Sequence, residues 1–293
     1  MVVLLSLIAS SFIFAMRTDT QVVSNGTAMA KAQAAADAGV QRALFEWFRP
    51  ATDAERWLTD GSVRDWSYND AKLRITLLDD SGKIDINMAS EPLLRGLLQA
   101  QGVSEQDAVN LVDAILDWRD VDSLKRLHGA EEAEYAAAGL KYKPANAPFQ
   151  TIEEVQLVIG MSAQLYRRIA PLITVYSRQP GVNWQIAPRA VLLAVPGVTA
   201  AQVEEYLAQR EAGQANKQPI PLFAPGAAYF SPSTGSKVIV RAEAHMPDGT
   251  LFVREAVAMR VPNSKRPYTF LSWKEGAVEA AKEESTETPI EKP

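Results

Sequence analysis

The residues that could carry chemistry crowd into one short stretch. Asp117, Asp120 and Asp122 are followed by Glu131, Glu132 and Glu134, six carboxylates within eighteen positions, directly after an amphipathic helical pattern. So dense a set of like charges needs a counter-ion or a partner. Asp120, Asp122 and Glu131 stand at relative positions one, three and twelve, the spacing at which a calcium-binding loop offers oxygen ligands. Lys125 occupies the sixth place, where an EF-hand requires glycine, and Leu124 the fifth, so the stretch is not an EF-hand. Asp117, one helical turn before Asp120, and Glu132 can add further oxygens. Such hard ligands suit calcium, and a chain with no cysteine and no paired histidine offers zinc no site. Spacing alone weighs two readings evenly: an oxygen-ligated cation, or charges that are solvated and paired with Arg119 and Arg126.

Other chemistries are poorly supported. His128 and His245 are the only histidines, neither lies in a serine–aspartate pattern, and no G-x-S-x-G run exists, which argues against a triad hydrolase. Val195-Pro196-Gly197-Val198-Thr199 lies between two short helical patterns and resembles a helix-hairpin-helix turn, a module that often grips a phosphate backbone. From Val191 to Gln209, however, no basic residue flanks it, and the net charge of −5 gives no field to hold a polyanion. The turn therefore reads as a protein-packing module, and no nucleic-acid partner is expected.

The elements that must position the acidic stretch follow from periodicity. Met1 to Met16 is uncharged and apolar, about 24 Å long as a helix against a hydrocarbon core of about 30 Å. A membrane anchor is preferred to a cleaved signal peptide, because no positive charge opens the segment. Thr20 to Phe48 holds no proline, and Ala28, Ala32, Ala35, Val40, Ala43, Leu44 and Trp47 fall near one stripe, so one long helix is expected to end at Arg49-Pro50. Lys72 to Leu78 alternates as a half-buried strand, and Asp80 to Lys83 reads as a turn leading it into a hairpin with Ile84 to Asn87. Helices are expected over 91–100, 104–118, 151–159, 162–170, 188–194 and 199–211, with Ser104 as an N-cap. Leu172 to Tyr176 reads as a strand. Lys237 to Ala244 and Leu251 to Val261 flank Pro247-Asp248-Gly249 as a clear hairpin, and Lys274 onward reads as a disordered acidic tail. At 293 residues the chain has room for two or three compact units. The class is α+β, an antiparallel sheet interrupted by helical modules.

The runs Asp80-Ser81-Gly82-Lys83-Ile84-Asp85-Ile86-Asn87, Asp117-Trp118-Arg119-Asp120-Val121-Asp122 and Leu127-His128-Gly129-Ala130-Glu131-Glu132-Ala133-Glu134-Tyr135 occur in that order. So do Asn146-Ala147-Pro148-Phe149-Gln150-Thr151-Ile152-Glu153-Glu154-Val155, Leu165-Tyr166-Arg167-Arg168 and Thr174-Val175-Tyr176-Ser177. Together they resemble general secretion pathway protein K, the large minor pseudopilin of bacterial type II secretion, over most of residues 27–200. The resemblance implies a pilin-like fold: a long N-terminal helix packed on an antiparallel sheet, with a large all-helical insertion of helix-hairpin-helix or SAM-like modules. It divides the chain into an anchoring helix start at 1–19, a pilin-like helix and first hairpin at 20–88, and a helical module with the acidic loop at 89–170. A strand of the pilin sheet at 171–180, a second helical module and loop at 181–235, a C-terminal hairpin at 236–272 and a tail at 273–293 complete it.

The resemblance further implies a non-enzymatic subunit at the pseudopilus tip, initiating or capping the filament with minor pseudopilins I and J above the shaft. Its anchor would lie in the inner membrane and its globular part in the periplasm. Structural calcium in the helical region is also implied, with Asp117, Asp120, Asp122, Glu131 and Glu132 as the expected ligands. Family members carry a cleaved leader and an early glutamate in the mature helix. Here no leader is seen and no acidic residue precedes Asp19, as expected of a subunit beyond which nothing assembles. The alternatives are a membrane-anchored periplasmic hydrolase and a DNA-uptake protein using helix-hairpin-helix modules.

Overall fold

The computed structural model describes residues 2–50, 52–53, 55–216, 218–232 and 235–278, with only the backbone described at 2–11, 13–15 and 18. Helix α1 (Val2–Phe48) is continuous. At 1.5 Å per residue it runs about 70 Å. Its described side chains up to Lys31 are exposed except for half-buried Ala28, whereas Ala32, Ala35, Ala36, Val40, Ala43, Leu44 and Trp47 are buried. That is the stripe expected from the sequence. A Cβ at Gly39 would lie 2.7 Å from Leu73 Cδ2, so this glycine lets the helix approach the sheet closely. Among the described residues no helix is long and apolar enough to cross a membrane, and most side chains of the apolar segment 1–16 lie outside the described residues.

The sheet under α1 is antiparallel, in the order β1-β2-β5-β6-β7. β1 (Asp60–Tyr68) pairs with β2 (Ala71–Asp79) through a tight turn in which Asn69 takes a positive φ of 49°. β2 pairs with β5 (Lys237–His245), β5 with β6 (Leu251–Arg260), and β6 with β7 (Tyr268–Glu275). The face holding Leu73, Ile75, Leu77, Val240, Ala242, Phe252 and Ala256 packs on α1 and forms one core.

Three expectations about strands need correction. The β2 strand is real, but its partner is β1, not residues 84–87. The Asp79 side chain accepts from the Ser81 N–H and hydroxyl at 3.0 and 2.7 Å, closing a 3₁₀ turn that steers the chain out of the sheet. Beyond it, β3 (Ile84–Asp85) pairs in parallel with β4 (Ile173–Thr174), so the strand expected at 171–180 belongs to a separate two-stranded sheet. At the other end, the hairpin at 236–272 gains a third strand, β7, which takes in Trp273 to Glu275 from the expected tail; residues 279–293 lie outside the described residues.

Between β2 and β5 come α2 (Glu91–Ala100), α3 (Glu105–Arg119), α4 (Glu132–Ala137), α5 (Ala163–Ile169), α6 (Arg189–Leu192) and α7 (Ala200–Ala215). The Ser104 hydroxyl accepts from the Asp107 N–H at 3.2 Å, the cap expected for α3. The helix expected over 151–159 is a 3₁₀ turn, Ile152–Leu157. The two modules divided at 171–180 in the sequence share one core, which runs from Ile84 and Leu94 through Ile115, Trp118 and Ile169 to Leu192, Tyr206 and Phe223. The described residues thus form two cores, one under the rod and one inside the inserted head.

Candidate functional site: an acidic loop on the inserted head

α3 is amphipathic, and its buried face runs Ala108, Leu111, Val112, Ile115, Leu116, Asp117 and Trp118. A carboxylate on that stripe costs desolvation unless it is satisfied. The chain after α3 folds back over Asp117 to satisfy it: the Arg126 N–H donates to both Asp117 oxygens, at 3.3 and 3.2 Å. A Cβ at Gly129 would fall 1.9 Å from Asp117 Oδ2, so only glycine lets the loop close there. The His128 N–H donates to Asp113 Oδ2 at 3.0 Å, which fastens the same turn from outside. Beneath the loop, Trp118 stacks on Phe149 at 5.9 Å and leans on Tyr135 at 6.1 Å.

Around this clasp lie Asp120, Asp122 and Glu131, near enough to act on one another electrostatically. Asp120 caps the end of α3 and Glu131 precedes α4. Burial raises the proton affinity of Asp117, Asp120 and Glu131, and neighbouring acids add to it: Asp120 acts on Asp117, Asp122 on Asp120, and all three aspartates on Glu131. Asp120 Oδ1, Glu131 Oε1 and Asn146 Oδ1 are buried with no hydrogen-bond donor. Glu132 is not part of the group, since it is exposed and pairs with Lys143 at 2.9 Å.

The two arginines expected as counter-ions part company. Arg126 stays, with Nε 3.4 Å from Asp117 Oδ1 and Nη2 3.8 Å from Asp120 Oδ2. Arg119 turns away and donates to the carbonyls of Ile86 and Ala89, which ties α3 to the β3 strand. Among the described residues no group of three or more His, Cys, Asp or Glu side chains stands in an arrangement that could hold a metal ion. The donors are nonetheless hard oxygens, and three buried ones lack a donor, which is the chemistry a divalent cation satisfies.

Asn146 is the residue that sequence reasoning missed. It adopts a positive φ of 45°, and its Nδ2 donates to the Asp122 carbonyl at 2.7 Å, leaving Oδ1 in the acidic group. The Asn-Ala-Pro turn was a visible signal for such a conformation. His128 and His245 sit in exposed positions, and His245 Nε2 lies 3.8 Å from Glu243 Oε2.

Residues 71–178 match the family model described as Type II secretion system (T2SS), protein K. That stretch is similar to protein K. It contains β2, β3, α2 to α5, β4 and the whole acidic loop. Curated relatives named Type II secretion system protein K include one from Klebsiella pneumoniae, 29% identical over 157 residues, covering 48% of this chain and 48% of that protein. Another, from Aeromonas hydrophila, is 36% identical over 118 residues, covering 39% of this chain and 36% of that protein. The chain thus spans about half the length, or less, of these relatives. Among solved structures, a chain from the GspK-GspI-GspJ complex of enterotoxigenic Escherichia coli matches at 17% identity with a TM-score of 0.60, covering 90% of this chain and 99% of that one. The likeness shows a fold shared over 90% of this chain.

Proposed function

We propose that the chain works as a non-enzymatic minor pseudopilin at the tip of a type II secretion pseudopilus, where it initiates or caps the filament that exports folded proteins across the outer membrane. One observation carries this reading: the described side chains of α1 up to Lys31 are exposed but for half-buried Ala28, and beyond them the helix packs on a sheet into which a head with its own large core is inserted. Rods can bundle side by side, but a head wider than the rod cannot repeat along a tightly packed fibre, so such a subunit terminates growth. The apolar run at residues 1–16 would seat the rod in the inner membrane and leave the head in the periplasm, with the pseudopilus shaft below.

The partners proposed are the I and J subunits, which the E. coli complex names beside its K subunit. Partner helices would lie along exposed α1, and the helix-hairpin-helix-like turn at 195–199 would serve packing within the head. There, Gly197 takes a positive φ of 78° and Thr199 caps α7.

Calcium is proposed at the acidic loop. Asp117, Asp120 and Glu131 would hold it with the Asn146 amide oxygen, and Asp122 could join through the oxygen that does not accept from Leu124. Glu132, paired with Lys143, would stand outside. When bound, the ion supplies positive charge where buried like charges otherwise repel. Co-purification of the full chain with I and J subunits tests the main reading. A chain that fails to join an I–J pair that itself assembles would sink it.

A further inference from the structure

The face of the sheet turned away from α1 meets the inserted head along a seam, and the seam holds a partly open cavity of about 210 Å³. Strand register explains its floor: Ile239 faces Val257 across β5 and β6, and Val257 faces Ser272 across β6 and β7. The head supplies the roof through Ile173 and Tyr176, and Lys83 lies in the wall where the chain leaves the sheet. Tyr176 from the head and Ser272 from β7 both line the cavity, one on each side of the seam.

Lys83 is the unusual member. Its ammonium makes no hydrogen bond and no ion pair among the described residues. The other charges lining the cavity are already matched, Glu255 by Arg241 at 2.6 Å and Glu153 by Lys274. Asp80 lies near enough to attract Lys83, but its Oδ1 accepts from Thr174 at 2.8 Å. Lys83 is half-buried; burial pulls its affinity for a proton below the ordinary range, with Asp80 and Glu255 opposing the shift.

We propose that this seam cavity binds a small aliphatic monocarboxylate, its oxygens on the Lys83 ammonium and its short apolar body against Ile173, Ile239 and Val257. The size excludes drug-sized ligands, whose pockets run to roughly 300–1,000 Å³. A dianion such as phosphate would meet stronger repulsion from Glu255 and Glu153 than a single negative charge, which answers Lys83, the cation of the lining that has no ion pair among the described residues. The apolar walls select a hydrocarbon body. A bound carboxylate would bridge head and sheet, so occupancy would stiffen their junction.

The test uses the full chain held in detergent, titrated with 3-methylbutanoate by calorimetry and thermal melting, with 3-methylbutan-1-ol as the neutral probe of equal shape. The expected result is saturable binding of the carboxylate that raises the melting temperature and a much weaker response to the alcohol. Lys83→Met should weaken binding roughly tenfold or more, the scale of a lost charged hydrogen bond. Val257→Phe, which fills the cavity and leaves Lys83 in place, should abolish it. No saturable binding, equal binding of the alcohol, or undiminished binding by Val257→Phe would each overturn the proposal. If Lys83→Met does not fold, the Val257→Phe chain and the alcohol decide alone. None of these outcomes depends on the secretion role, because the probe acts on the isolated chain.

Discussion

Replacing Asp80 with asparagine should stabilise the protein at neutral pH and do nothing at acid pH. Asp80 is 1% exposed, its Oδ1 accepts from the Thr174 hydroxyl, and its Oδ2 is buried without a donor. Burial, the largest cause, lifts its carboxyl to about 6 from an ordinary 3.8; the Thr174 hydrogen bond, Lys83 and Lys237 hold it down, and Asp85 pushes it up. A folded-state value above the unfolded one means that the native state binds the proton more tightly. Stability from this group is therefore fully present below pH 3.8 and lost as pH rises through 6. The shift corresponds to a penalty of about 3 kcal/mol at pH 7.5, at 1.36 kcal/mol per unit. Asparagine keeps the acceptor for Thr174 and carries no charge, but gives up attraction to Lys83, so a net gain of about 1–3 kcal/mol is expected. Urea denaturation of both proteins at pH 7.5 and pH 4 measures it. The reasoning fails if Asp80→Asn destabilises at pH 7.5, or if the difference between the two proteins does not shrink toward pH 4.

In the acidic loop, calcium should raise the melting temperature of the unmodified chain. Asp120→Asn and Glu131→Gln should each remove that response, and Glu132→Gln should leave it intact; a scan with chelator and with 1 mM calcium, about the Kd range of extracellular calcium modules, separates them. Gly129→Ala places a methyl group against Asp117 and should cost about 1–3 kcal/mol by overpacking, read as a lower urea midpoint. Gly39→Val should lift α1 from Leu73 and destabilise the rod-side core by a similar amount, about 1–3 kcal/mol, visible as loss of near-ultraviolet dichroism from Trp47 at lower denaturant.

What the sequence made legible was what depends on near neighbours. The α1 stripe, the Ser104 cap, the β5–β6 hairpin and the crowding of acids at 117–134 are local patterns, and the structure keeps each of them. β1 escaped notice because Asp60–Tyr68 is an edge strand with charges and no deep burial, so nothing forces clean alternation on it. β7 escaped for the same reason, being the opposite edge with only half of its residues partly covered. The assignment of Ile84 to β2 failed because Asp80-Ser81-Gly82 has hairpin-turn composition, while the true partner lies about ninety residues away. Within the acidic stretch, spacing could count donors but not say which turn inward: Glu131 and Glu132 are adjacent, and only Glu131 is buried.

Two acids, Asp80 from the expected turn and Asp85 from the expected strand after it, explain how a sheet can carry so large an insertion. Asp80 reaches Thr174, ninety-four residues on. Asp85 accepts from the Ser177 hydroxyl at 3.2 Å and the Arg178 N–H at 2.6 Å, and the Asn183 N–H donates to the Ser81 carbonyl at 2.8 Å. The point where the chain leaves the sheet is thus fastened to the point where it comes back from the acidic module. Loop-closure entropy grows only logarithmically, about 0.6 kcal/mol for each doubling of length, so once this neck is closed the head can be large at little further cost to the sheet. The neck also lies beside Lys83 and the seam cavity, the place where the two cores touch. A change that loosens it should therefore free the head from the sheet before either core melts. Asp85→Ala, which strips the acceptors from Ser177 and Arg178, is expected to expose the 84–85 and 173–174 amides to hydrogen exchange while the amides of β5 and β6 stay protected. Uniform loss of protection across both cores would mean that head and sheet unfold as one unit, and the division of labour argued from the neck would be wrong.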